Sequence, residues 1–123
     1  QLAALTIIRM IDLITESSDT HQIARCVAVK EENAELCKKE VRIIWGDYFK
    51  EEHFKKYPNL HDLAHDIMQA ASSARQGVDR KSGERLLDLV NQLSAIFWET
   101  KGVKTKKVKM PHKVEEELLY PIF

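Results

Sequence analysis

Glycine, proline and cysteine are all scarce in this sequence, and each shortage excludes something. Four glycines and three prolines in 123 residues leave few chain breaks, which argues against a turn-rich β fold. Two cysteines, Cys26 and Cys37, cannot build a disulfide framework. Within one helical stretch their spacing holds the Cα atoms roughly 16 Å apart, and a bridge tolerates about 7 Å. Reduced thiols and a cytoplasmic setting are therefore expected. Neither sign of charge dominates: 19 basic and 19 acidic residues give a net charge of zero. Such a chain has no global attraction to nucleic acid. No apolar run reaches the about 20 residues that span a bilayer. The longest, residues 2–14, also lacks the basic start and cleavage site of a signal peptide. The first residue is Gln1, so the chain reads as trimmed, processed or part of a longer protein. There is no Gly-rich phosphate loop, no haem-attachment motif and no nucleophile with a base at motif spacing.

What is present is helical periodicity. Residues 2–14 carry only three polar positions, Thr6, Arg9 and Asp12, a narrow stripe on an otherwise apolar helix. Such a helix is expected to be buried on most sides, against the bundle or a partner. Asp19 followed by Gln22 has capping-box spacing and starts a second helix. Its seam runs Ile23, Val27, Lys30, Ala34, Cys37, Val41, Ile44, Tyr48, and only Lys30 breaks it. One long helix is expected, bent at Gly46 and ended by Pro58. Asn59 caps a third helix whose stripe is Leu60, Leu63, Ile67, Ala71 and Ala74, closed by Gly77. A loop over 78–83 leads to a fourth helix striped by Leu86, Leu89, Leu93 and Ile96. These features predict an all-α chain. Residues 1–102 would form an antiparallel four-helix bundle with a long second helix. Residues 103–123 would form a lysine-rich tail carrying a short helical turn over 114–120.

Three groups of residues could carry chemistry. His61 and His65 stand four apart, so both imidazoles share one helix face and suit a single metal ion. Cys37 and His21 could complete the set, with zinc or iron as the cofactor. The plainer account is two half-exposed histidines beside a helix seam. Lys104, Lys106, Lys107 and Lys109 form a basic cluster for an acidic partner surface or nucleic acid. No aromatic residue is interleaved with them, so base stacking is not indicated. Tyr120 and Phe123 close an amphipathic segment that reads as a docking peptide. Cys26 and Cys37 read as small buried hydrophobes rather than reactive thiols.

Several resemblances bear on these groups. Cys37, Trp45, Pro58, His61 and His65 distantly resemble the chemoreceptor zinc-binding domain, which implies a helical module holding zinc through three His and one Cys. Cys37 is followed by Lys38, Lys39 and Glu40, where that family has a Gly and an aromatic. His112 with Glu116 and Glu117 resembles one helix of a hemerythrin-type site, which implies a di-iron centre. His53, however, has Tyr57 rather than a carboxylate four residues on. His65 and Asp66 resemble the His-Asp step of HD-type phosphohydrolases, with His21 and Asp88 as the remaining metal ligands. The same segment resembles that around the phosphorylated His of phosphotransfer domains.

No complete catalytic constellation emerges. The sequence therefore reads as a non-enzymatic regulatory or interaction module, a small subunit or sensory part of a larger assembly. A protein partner or second copy would bind helix 1 and the C-terminal tail. The other readings are a metal- or haem-binding sensor centred on His61 and His65, and a metal-dependent phosphohydrolase.

Overall fold

The computed structural model describes residues 1–109 and 116–122. Helix α1 spans Leu2–Glu16, α2 Thr20–Ile43, α3 Glu51–Lys56, α4 Leu60–Gln76 and α5 Arg80–Thr100. Strands β1 (Lys104–Lys109) and β2 (Glu117–Ile122) follow and pair antiparallel. The expected mostly-α character is observed. Four helices and a tail are not: there are five helices and a two-stranded sheet among the described residues.

The apolar circumference of α1 is used up inside the molecule. Ala3, Ala4, Leu5, Ile7, Ile8 and Ile11 are all buried, because α1 packs on both α2 and α5. Of the two expected settings, the bundle or a partner, the bundle accounts for this burial, and only Leu2 among its large apolar side chains is strongly exposed. Even its polar stripe is employed. The Asp12 carboxylate accepts from Arg80 Nε at 3.0 Å, and Arg80 also pairs with Glu84 and Glu116, joining α1, α5 and the β-hairpin.

Helix α2 starts where expected, with a different cap. Asp19 Oδ1 accepts from the His21 backbone N–H at 3.0 Å. Gln22, expected to complete a capping box, instead accepts from the Ser17 hydroxyl. The second helix is long and changes course at Gly46 as expected, but it does not continue to Pro58. Helix α2 gives way to a π turn over Ile44–Tyr48, with Phe49 N–H donating to Ile44 C=O at 3.1 Å. Phe49 is then extended, and the short α3 begins. The wider π turn re-aims the chain so that Phe49 enters the core, which a continuous helix would not allow.

Two glycines mark contacts that the periodicity did not show. Gly83, expected to end a loop, lies in the first turn of α5. A Cβ there would meet Ile8 Cγ1 at 2.8 Å, so the residue permits α5 to lie against α1. Gly102, with φ +71, turns the chain from α5 into β1, a conformation that suits glycine.

The tail differs most from expectation. The helical turn is not formed over the described part of 114–120, where Glu117–Ile122 is a strand. Nor is the segment remote from the core: Leu118 belongs to the hydrophobic cluster at 2% exposure. Asn91 Nδ2 donates to Glu117 C=O, and Leu119 N–H donates to Gln1 Oε1 at 2.7 Å, so the hairpin is stitched to α5 and to the start of α1.

Candidate functional site

Lys30, the one misfit in the α2 seam, is 1% exposed. Its Nζ donates to the carbonyls of Ala74, Arg75 and Gly77 at 2.9, 2.6 and 2.6 Å. All three protons of the ammonium are satisfied, and they close the unsatisfied carbonyl end of α4. Burial pulls its pKa below the ordinary lysine value, a shift that Glu31 opposes and Arg75 reinforces. The group is thus a buried bolt between α2 and α4.

The second feature is a linked set of rings. The Trp45 Nε1–H donates to His61 Nδ1 at 3.1 Å. The His61 ring in turn stacks on Phe54, with centroids 3.9 Å apart and planes at 4°. Phe54 meets Phe49, which meets Tyr48 and His53. Tyr48 contacts Phe97, and its hydroxyl shares a 2.7 Å hydrogen bond with Thr100. The π turn, α3 and the ends of α4 and α5 are therefore held together largely by aromatic edges and faces. This cluster was not singled out in the sequence. The density of rings at 45, 48, 49, 54 and 57, answered by Phe97 and Trp98, is the signal that could have shown it.

The four residues expected to share a metal are placed as follows. His61 and His65 lie exposed on α4 and border a groove with Arg42, Trp45, Ala64 and Met68. Cys37 is buried in the core. His21 sits in the first turn of α2, in a separate cleft with Met10 and Cys26. Among the described residues no three His, Cys, Asp or Glu side chains gather to hold a metal ion. Both cysteines are free and buried, and burial pushes the Cys37 thiol up to about 11. It is protonated at neutral pH, and the thiolate is the ligand form. Asp62, Asp66 and Asp88 are exposed. His112 and Phe123 lie outside the described residues, and Glu116 is engaged by Arg80. The lysine cluster forms β1, and the register sets Lys106 opposite Tyr120, an interleaving hidden in the linear sequence. Among the described residues no helix is long and apolar enough to cross a membrane.

Comparison with known proteins gives the family. Residues 1–101 match the nickel-containing superoxide dismutases. The chain is 45% identical over 85 residues to the nickel superoxide dismutase of Streptomyces coelicolor, and 41% identical over 85 residues to that of Streptomyces seoulensis. Each alignment covers 69% of this chain and 65% of the relative, so the matched part spans just under two thirds of those proteins. A native nickel superoxide dismutase structure superposes with a TM-score of 0.79 at 39% identity, covering 81% of this chain and 86% of that one. One with nickel ligation of the oxidized state gives 0.80 at 36%, covering 82% and 86%. The chain belongs to the nickel-containing superoxide dismutase family.

That membership overturns the reading of a non-enzymatic regulatory or interaction module, and with it the sensor and phosphohydrolase readings, because the family is one of enzymes. It also replaces zinc, iron or haem with nickel as the family's metal. The described residues do not themselves fit a nickel centre. No ligand set converges, Cys37 is a protonated thiol, and the Nδ1 atoms of His61 and His53 are occupied by Trp45 and by the Lys50 backbone N–H.

Proposed function

We propose that this chain is the helical body of a nickel-dependent superoxide dismutase, an enzyme that disproportionates superoxide to dioxygen and hydrogen peroxide. The observation that carries the reading is the family match over residues 1–101, supported by 45% identity to a nickel superoxide dismutase. The donors for nickel are to be sought outside the described residues, so no chemical step is assigned to His61, His65, His21 or Cys37. What the described residues supply is a rigid support: the Lys30 bolt, the ring cluster and the hairpin hold the helices in one arrangement. We further infer that α1, α2, α4 and α5 make an antiparallel four-helix core, with 103–123 as an appended unit. Two reduced, buried cysteines favour a cytoplasmic setting.

The test is to produce the protein without a histidine tag in nickel-supplemented medium, then measure bound metal and the rate of superoxide loss by stopped flow. Nickel-dependent acceleration that a chelator abolishes is expected. Protein with bound nickel and no acceleration above the spontaneous rate would overturn the reading, as would activity carried by another metal.

A further inference from the structure

We propose that the groove where the π turn meets α4 binds a small aromatic carboxylate, its ring against the Trp45 indole and its carboxylate on the Arg42 guanidinium. The groove has a volume of about 280 Å³ and is lined by Arg42, Trp45, His61, Ala64, His65 and Met68. None of its lining residues is assigned a step in superoxide chemistry, and the proposal stands independently of that function.

Three observations converge on this ligand class. The first is shape and apolarity. Ala64 is a buried small residue that leaves room, while the indole and the Met68 thioether offer ring-compatible surfaces. The volume lies just below the roughly 300 Å³ at which drug-sized pockets begin, so the occupant is limited to one or two fused rings. The second is preorganisation. Trp45 is exposed at 38%, yet its Nε1–H is held by His61, whose ring is clamped by Phe54. An aromatic wall already fixed loses little rotamer freedom when a ligand arrives.

The third is charge. Arg42 takes part in none of the ion pairs or hydrogen bonds among the described residues, and neither does His65. No carboxylate is among the described residues that line the groove. An apolar floor with an unanswered guanidinium at its rim calls for an amphiphilic anion. The planar fork of arginine matches a carboxylate in bidentate fashion. Two histidines without a third ligand among the described residues do not make a metal site in the same place.

The probe is 2-naphthoate, with neutral 2-naphthamide as its control. The readout is the pair of indole N–H resonances in nitrogen-15 correlation spectra of the full chain, assigned with Trp45→Phe. The Trp45 resonance is expected to move saturably with a Kd on the order of 0.1–1 mM, while that of Trp98 stays in place. Removing the charge by Arg42→Gln, or using the amide, is expected to weaken binding by ~10-fold. Both Arg42 and Trp45 are exposed, so the variants are expected to fold, which circular dichroism checks. Lys39→Gln, exposed on the same helix but outside the groove, should leave affinity unchanged. No saturable movement at several millimolar probe overturns the proposal. Equal binding of acid and amide, or indifference to Arg42→Gln, also overturns it. So does sedimentation showing a second copy of the chain seated on the groove, with self-association lost in Trp45→Phe.

Discussion

Replacing Lys30 by methionine keeps the aliphatic stem in the α2 seam and deletes the ammonium. Three hydrogen bonds of 2.6–2.9 Å to Ala74, Arg75 and Gly77 disappear together. A hydrogen bond from a charged donor contributes roughly 1.5–3 kcal/mol net, so three suggest a large loss. Two effects reduce it. Methionine has no charge to desolvate, and taking an ammonium out of water costs several kcal/mol. The carbonyls of Arg75 and Gly77 are only part buried and can turn to water. A destabilisation of about 2–4 kcal/mol is the expected balance. For a chain of this size that corresponds to a melting temperature lower by about 6–16 °C. Urea titrations and thermal melts followed by circular dichroism at neutral pH measure both quantities. Lys30→Ala should cost more, since it adds a cavity. If Lys30→Met were as stable as the parent within about 0.5 kcal/mol, the ammonium would contribute nothing beyond its desolvation cost. The account of Lys30 as the bolt between α2 and α4 would then fail.

Other perturbations test other joints. Cys37 has its pKa raised by burial from 9.0 to about 11. The folded state therefore keeps a proton that the unfolded state releases. Its contribution is complete below pH 9 and fades as pH rises through 11, by about 2–3 kcal/mol in total. Denaturant titrations across that range should show this slope in the parent and a smaller one in Cys37→Ala; identical slopes would refute the assignment. Gly83→Ala forces a Cβ to within 2.8 Å of Ile8 Cγ1 and should cost about 1–3 kcal/mol by overpacking. Combined with Ile8→Ala it should cost less than the two changes summed, and a double-mutant cycle with zero coupling would count against the contact. Leu118→Ala removes a core side chain contributed by the hairpin and should cost about 2–4 kcal/mol. A negligible change in unfolding free energy would mean that β2 is not part of the cooperative unit.

Helix boundaries were the most legible part of the sequence. Asp19 does cap α2, Pro58 separates α3 from α4, and Asn59, Gly77 and Gly102 stand at helix ends. Each is a local signal that depends on the residue's own backbone preference or hydrogen-bonding reach. The groove beside His61 and His65 could also be placed, because two positions four apart on a helix must share a face. What filled that groove could not. Trp45 reaches it only because the π turn re-aims the chain after Ile43, and Gly46 marks a bend there without giving its direction. The nickel reading was illegible for another reason. Among the described residues no ligand set gathers, so only the similarity to relatives over residues 1–101 carries it.

The amino-acid sequence by itself determined that this is a mostly helical protein, where several of its helices begin or end, and which face of α1, α2, α4 and α5 is apolar. Those properties follow from spacing and capping within a few residues. Tertiary structure alone decided the rest. It turned Lys30 from a defect in a stripe into three satisfied hydrogen bonds, since the carbonyls that accept them lie more than forty residues away. It made Gly83 a close contact instead of a loop end, because Ile8 arrives from another helix. It made residues 117–122 a strand where a helical turn was expected. A strand's hydrogen bonds come from its neighbour, and that neighbour, β1, is present only once Gly102 has turned the chain back along α5.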